Sequence, residues 1–270
     1  MRPRGLRQAQ RAARPLLPLV RAARRARRHL PAYGNSLSGQ FTEHPANPII
    51  PRSWAPHYSV SHVSSPHVLW HAPSRRFYLY FHGENTTTRL AVSTNGIDYT
   101  YHGVVLTTGM VPNTTETSYA RVFEHPIAAL GARYVMVFMA YHTVTPGVRK
   151  IFWGWSPDGL TWQYDPIPLV SPAADGETDL SGPHLLTRNG TTYVVYHGGS
   201  GKMYLTEVGP NFDREVHLGV FHTPLTAPRT TAGRPPRRSA RTAACPTCST
   251  RPASAPRPRS RWPRDLGSAS

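Results

Sequence analysis

The residues that decide the fold lie between 182 and 219, where short apolar runs alternate with polar turns: GPHLL (182–186), TYVVYH (192–197), KMYLTEV (202–208) and GPNFDREVHLG (209–219). The apolar runs are about five to eight residues long and are bounded by Gly, Pro or Asn, which is typical of β-strands. The segment therefore predicts four antiparallel strands joined by turns.

The same order of elements occurs twice earlier in the chain. Tyr78, Tyr134 and Tyr193 mark the equivalent second strands, 56 and 59 residues apart. No stretch of ten or more residues keeps a helical period, so we expect an almost all-β domain. Four strands per repeat at this period is typical of propeller blades, which bury their faces against neighbouring blades. The earlier copies comprise SPHVLW (65–70), FYLYFH (77–82), RLAVS (89–93) and TNGIDY (94–99), then EHPI (124–127), YVMVFMAYH (134–142), KIFWGWS (150–156) and PDGLTW (157–162).

Four motifs carry a resemblance to a known superfamily: NPII (47–50), SxNGxxY (93–99), SxDGxxW (156–162) and SGPHLLTRNGTTYVVYHGGSG (181–201). Over roughly residues 40–222 the chain resembles the five-bladed β-propeller glycoside hydrolases of families 43, 32 and 68. The resemblance implies an all-β propeller that hydrolyses glycosidic bonds. Because the repeats stop near Phe221 and a closed propeller needs at least four blades, we expect an incomplete propeller from a truncated or frame-shifted gene.

The charge of the chain is concentrated at its two ends. The 270 residues include 31 Lys and Arg against 14 acids, a formal net charge of +17. Residues 1–31 and 227–270 hold ten Arg each and only one acid, whereas the middle is close to neutral. We therefore expect disordered basic arms at 1–31 and 224–270 and a propeller domain at 32–223. The arms lack any recognition module, which weighs against a specific nucleic-acid partner.

Other features of the ends carry little functional information. The run Leu16–Val20 is short, contains Pro18 and is flanked by Arg, so it is a poor signal peptide. No apolar run approaches the roughly 18 residues that span a bilayer, and we expect no membrane span. Cys245 and Cys248 form one CxxC motif without a second pair, which is half of a zinc site.

We expect a monomer without cofactor or metal. The location of the protein stays open, although a polymeric glycan would be met outside the cell.

The histidines indicate where a ligand would bind. In an antiparallel blade, the first strand begins at the end of the propeller where the second strand finishes. The second strands are followed by His82, His142 and His197. The sequence leaves three roles open for these histidines: packing and hydrogen bonding, contact with a ligand, or metal binding. Asp98 and Asp158 lie in turns at the far end and suit tight turns. The predicted carbohydrate-contacting residues are His67, Tyr119, Arg121, His184, His82 and His197.

Glycoside hydrolysis normally requires two carboxyl groups across the scissile bond. The resemblance implies acids where this chain has Ser65 before Pro66, His125 before Pro126, and Ser181 before Gly182. A serine cannot replace a carboxylic acid as proton donor at neutral pH. Acids do occur close by in the sequence. The predicted catalytic residues are Asp179 as the acid and Glu124 or Glu84 as the base.

Three functions are therefore compatible with the sequence. The leading prediction is a carbohydrate-active propeller that hydrolyses a polysaccharide or oligosaccharide by carboxylate acid/base catalysis. The first alternative is a glycan-binding propeller that has lost its carboxylates. The second is a metal-dependent propeller that uses its histidines.

Overall fold

The structure is a computed structural model, and it describes residues 19–22, 29–34, 36, 38–144 and 147–222. Apart from three short 3₁₀ helices, Thr108–Met110, Ala128–Leu130 and Pro172–Asp175, the regular structure of these residues is all β. The strands are β1 (Leu19–Ala22), β2 (His29–Tyr33), β3 (Thr42–Glu43), β4 (Ser53–Trp54), β5 (Tyr58–Ser59), β6 (Ser64–His71), β7 (Arg76–Gly83), β8 (Thr87–Ser93), β9 (Thr100–Thr107), β10 (Thr114–Ile127), β11 (Ala132–His142), β12 (Val148–Ser156), β13 (Gln163–Tyr164), β14 (Leu180–Arg188), β15 (Thr191–Gly198), β16 (Met203–Val208) and β17 (Glu215–His222).

Three four-stranded antiparallel sheets make up most of the described chain. Their strands are in sequence order: β6 to β9 form blade 1, β10 to β13 form blade 2, and β14 to β17 form blade 3. A three-stranded sheet, β1 to β3, and a two-stranded sheet, β4 and β5, precede them. The predicted all-β fold of four-stranded blades is confirmed, while five as the number of blades stays a prediction.

The blades are held together by apolar faces, because alternate residues of a strand point to opposite sides of its sheet. Tyr80 and Leu90 of blade 1 pack with Phe138 of blade 2. On the other side of blade 2, Val137 and Trp153 pack with the side chains of blade 3. The outer face of blade 1 is covered by the preceding segment, including Ile50 and Tyr58. Blade 2 is therefore buried on both faces.

Blade 3 exposes more large apolar side chains on its strands than blades 1 and 2 do, and they lie on β14 and β17. Its inner face packs on blade 2 through Val194 and Tyr196, both fully buried. The exposed apolar residues of blade 3 are Leu186, Val216, Leu218, Val220 and Phe221, with exposed fractions of 43–53%.

The turns between third and fourth strands form as the sequence predicts. Asp158 Oδ1 accepts hydrogen bonds from the backbone N–H groups of Leu160 and Thr161, both at 2.8 Å. In the equivalent turn of blade 1, Asn95 Oδ1 accepts hydrogen bonds from the backbone N–H groups of Ile97 and Asp98. These polar side chains are occupied by the backbone of their own turns, so turn chemistry accounts for them.

The two predicted arms lie mostly outside the described residues. Strand β1 and the start of β2 fall within residues 1–31, a segment in which no regular structure is expected from the sequence. Residues 223–270, with Cys245 and Cys248, are not among those described. Within the described ranges, no helix has the length and apolar character needed to cross a membrane. Nor do three or more His, Cys, Asp or Glu side chains converge there as metal ligands.

Candidate functional site

The inner strand of each blade carries an irregularity near its start. The pairing register shifts between Ser64 and His67 in β6, between Ser118 and Arg121 in β10, and between Ser181 and His184 in β14. Each shift contains one residue with positive φ, and these residues are Ser65 (51°), Tyr119 (55°) and Gly182 (59°). A β-bulge redirects the side chains that follow it. His67, Arg121 and His184 are therefore equivalent positions, and we call the end of the propeller where they lie the mouth.

Arg121 joins the inner strands of blades 1 and 2. Its Nη1 donates to the backbone oxygen of Ser65 at 3.1 Å and to that of Ala120 at 3.0 Å. His67 donates from Nε2 to the backbone oxygen of Val122 at 2.7 Å, since a carbonyl can only accept. These bonds tie the two bulges together across the blade boundary.

Blade 3 reaches the same cluster through His184. The ring centroid of Phe123 lies 5.3 Å from that of His67 and 4.8 Å from that of His184, and the two imidazoles are 6.5 Å apart. His184 is exposed and makes no hydrogen bond to a described residue. The predicted contact residues His67, Arg121 and His184 thus do lie together.

The imidazoles of His67, His82 and His184 are neutral at neutral pH, because their pKa values are lowered. Burial, followed by the charge of Arg121, lowers the pKa of His67 to about 4 and also lowers the pKa of His184. Burial, followed by His62 and Arg121, lowers the pKa of His82 to about 3. A neutral imidazole can both donate and accept hydrogen bonds, which suits the hydroxyl groups of a sugar.

Tyr119 extends the mouth towards the second strand of blade 1. Its backbone N–H donates to His82 Nδ1 at 3.3 Å, and the two rings are 5.5 Å apart. The ring of His62 lies 6.1 Å from that of His82. Glu84 lies beyond, exposed, and accepts hydrogen bonds from the backbone N–H and the hydroxyl of Ser61. These two bonds lower the pKa of the Glu84 carboxyl, with the backbone bond as the larger cause.

Two further carboxylates meet where blades 2 and 3 join. Asp179 Oδ1 accepts a hydrogen bond from the backbone N–H of Arg149 at 2.7 Å. The side chain of Arg149 donates from Nε to Glu116 Oε2 at 2.8 Å, and the Glu116 side chain is only 12% exposed. The hydrogen bond to Glu116 is the main cause that raises the pKa of Arg149, and the charge of Asp179 and the phenol of Tyr119 add smaller contributions. Asp179, Glu116 and Tyr119 therefore share one electrostatic environment.

Glu116 and Arg149 are absent from the candidates predicted from the sequence. The signal that would have identified Glu116 is its place two residues before Ser118, on the strand that leads into the bulge. Arg149 has no such local signal, because its partners Glu116 and Asp179 are 33 and 30 residues away. Its role follows from the packing of two blades.

Glu124 is the exception among the predicted catalytic residues, because the structure places it at the opposite end of blade 2. Strand β10 has 14 residues, and Glu124 pairs with Tyr134 close to its end. Its carboxylate accepts from Arg133 Nε at 3.0 Å and Nη2 at 2.8 Å. The sequence interpretation took EHPI (124–127) as the start of the first strand, and this is wrong. The bulge at Ser118–Arg121 is the true counterpart of Ser64–His67 and Ser181–His184.

The histidines after the second strands are also not all equivalent. His82 pairs with Ser64 and His197 pairs with Ser181, so these two do match. Ser118 instead pairs with Met139, which makes Met139 their counterpart in blade 2. His142 lies three residues farther on, is buried, and has its Nδ1 at 3.0 Å from Lys150 Nζ. The matching of His142 with His82 and His197 was therefore wrong.

Two other acids near the junction of blades 2 and 3, Glu177 and Asp175, are held by contacts within the protein. Glu177 accepts from the backbone N–H of Ser200 at 3.0 Å, from its hydroxyl, and from Tyr204 at 2.5 Å. Asp175 accepts from Tyr196 at 2.9 Å and lies 2.9 Å from His217 Nε2. Its side chain has no exposed surface, and burial raises the pKa of its carboxyl. These bonds leave Asp175 and Glu177 in structural roles.

No protein-family model matches this chain, and no curated protein sequence is significantly similar to it. Solved structures do match it. The protein named BT0996, in a complex with RGII, has a TM-score of 0.54 and 12% identity, over 70% of this chain and 64% of that protein. The β-fructofuranosidase of Aspergillus kawachii, complexed with glycerol, has a TM-score of 0.50 and 15% identity, over 58% of this chain and 31% of that enzyme.

A thermostable family-43 glycoside hydrolase is also similar, with a TM-score of 0.47 and 19% identity over 60% of this chain. This chain spans 31% to 64% of the lengths of these three structures. The likeness to BT0996 and to the β-fructofuranosidase shows the fold, which is a β-propeller.

Proposed function

We propose that this chain binds a polysaccharide or oligosaccharide at the mouth of its propeller and hydrolyses glycosidic bonds there. The observation that carries the proposal is the Asp179–Arg149–Glu116 array, which holds two carboxylates at the mouth beside Tyr119. The fold shared with a β-fructofuranosidase supports the same class of substrate.

In this proposal Asp179 is the general acid. Only its Oδ1 is bonded within the described residues, to the backbone N–H of Arg149, which leaves Oδ2 for contact with a leaving oxygen. Glu84 is the proposed base, because the hydrogen bonds that lower its pKa keep it ionised at neutral pH. Glu116 fixes Arg149 and through it the position of Asp179. His67, His82, His184, His197, Tyr119 and Arg121 are the proposed sugar-contacting residues.

The test is release of reducing sugar from a panel of arabinan, xylan and fructan. We expect Asp179→Asn, which keeps an acceptor for the Arg149 N–H, to lower the rate by about 10²-fold or more. Glu124→Gln at the far end is the matched control and should leave the rate unchanged. Hydrolysis that survives in Asp179→Asn would contradict the assignment of the acid.

A second candidate function, glycan binding without hydrolysis, is favoured by one observation. Ser65 and Ser181 lie at the bulges of blades 1 and 3, where the family resemblance implies carboxylates. Retention of the same glycans on the immobilised protein, with no sugar released and no effect of Asp179→Asn, would support this function instead.

A further inference from the structure

The guanidinium of Arg121 is a partly buried positive charge without an acidic partner. Among the described residues, no carboxylate lies within salt-bridge distance of it, and its only bonds run from Nη1 to two backbone oxygens. Burial lowers the pKa of Arg121, while the phenol of Tyr119 opposes this shift. An arginine stays protonated in proteins, so a charge removed from water here is left uncompensated.

The surroundings of Arg121 add no negative charge. The nearby imidazoles of His67, His82 and His184 are neutral, because burial and Arg121 itself lower their pKa values. Arg149 is already paired with Glu116 at 2.8 Å. Arg89, near His82, donates from Nη1 to the backbone oxygens of Gly83 and Thr87 and lies over the ring of Tyr58. Arg121 therefore has a charge that is available to a ligand at the mouth.

The donor geometry of the site favours a particular anion. Nε and Nη2 of Arg121 make no hydrogen bond to a described residue, and the planar fork of a guanidinium matches a carboxylate. The exposed His184 offers another ring nitrogen close by. One uncompensated positive charge is neutralised by one carboxylate, whereas a phosphate dianion would need a second cation.

From this geometry we infer that the mouth recognises an acidic glycan, with the carboxylate of a uronic acid residue bound by Arg121 and assisted by His184. This inference rests on the proposed function, because it names the substrate class of the same site. A charge-assisted bond in a partly buried site should favour a uronate over its neutral counterpart by roughly tenfold to a hundredfold.

The first experiment changes only the ligand and uses the full wild-type chain. Binding of D-glucuronate, D-glucuronamide, D-glucose and glucose 6-sulfate is measured by calorimetry at one salt concentration and pH 7, and D-galacturonate is compared with D-galactose. We expect at least one uronate to bind about tenfold or more tighter than its neutral counterpart. Equal binding of uronates and neutral sugars would overturn the inference, and so would a preference for glucose 6-sulfate.

The second experiment changes the protein. Arg121→Gln should abolish the preference for the uronate, and His184→Gln, at an exposed position, should reduce it. Arg133→Gln at the far end is the matched arginine control and should keep the preference. If Arg121→Gln does not fold, the ligand series and His184→Gln still decide the matter, and an unchanged preference in His184→Gln would contradict its part.

The two proposals can fail separately. Hydrolysis of neutral glycans that depends on Asp179, without any preference for uronates, would leave the proposed function standing and refute the acidic ligand. Uronate binding that depends on Arg121, without turnover of any glycan, would support the acidic ligand and refute hydrolysis.

Discussion

Blades 2 and 3 are built from the same four-strand pattern, but they are buried to very different extents. Phe138 of blade 2 is fully buried and lies 5.9 Å from the ring of Phe152, whereas Phe221 of blade 3 is 53% exposed. The difference lies in the neighbours, since among the described residues blade 2 has a blade on each side, whereas blade 3 has one only on the side that faces blade 2. The alternation of apolar residues along a strand therefore predicts which faces of a blade are apolar. It does not predict which part of the molecule covers those faces.

The largest expected effect is on stability. The same Phe→Ala substitution, made once in blade 2 and once in blade 3, tests the difference in burial between the two blades. Phe138→Ala should lower the free energy of unfolding by about 3–5 kcal/mol, because it opens a cavity between blades 1 and 2. Phe221→Ala should change it by less than about 0.5 kcal/mol, since this residue is already 53% exposed. Urea unfolding of both variants measures the difference, and equal losses would mean that the outer side of blade 3 is covered in solution.

A second effect is the pH dependence of stability, which can be compared at the equivalent positions His67 in blade 1 and His184 in blade 3. His67 has a pKa of about 4 in the folded chain and about 6.5 when unfolded, so the unfolded state binds the proton first as the pH falls. Stability contributed by neutral His67 is complete above pH 6.5 and is lost towards pH 4. Between pH 7 and 5 the loss should reach at most about 2 kcal/mol.

His67→Gln should remove this part of the pH dependence, and His184→Gln should remove less, because His184 is more exposed in blade 3. The measurement is the free energy of unfolding in urea at pH 7 and at pH 5. A pH dependence that is unchanged in His67→Gln would show that the imidazole is not buried as the fold implies.

The smallest effect compares two glutamates at opposite ends of β10. Glu116→Gln weakens a partly exposed ion pair that connects blade 2 with blade 3 through Arg149 and Asp179, and should cost about 1 kcal/mol. Glu124→Gln removes an exposed pair within blade 2 and should leave the midpoint of thermal unfolding unchanged. A larger loss of stability in Glu124→Gln than in Glu116→Gln would indicate that the ion pair at the blade junction contributes less to stability than the exposed pair within blade 2.

The repeats and the turns could be predicted from the sequence because they depend on local patterns. Asp158 bonds residues two and three positions away, so the PDGLTW segment contains all that its turn requires. The position of Glu124 could not be predicted in this way. A bulge at Tyr119 and a strand of 14 residues shift the register of blade 2, and no local pattern separates EHPI from the true start of a first strand.

By itself, the sequence determined that the chain forms repeated antiparallel blades, since side-chain alternation and turn residues act over a few positions. Only the tertiary structure decided which residues meet at the mouth. Arg121 contacts the backbone of Ser65, 56 residues away, and Arg149 joins Glu116 to Asp179 across two blades. Such contacts depend on how whole sheets pack against each other, and so does the burial that leaves the charge of Arg121 uncompensated.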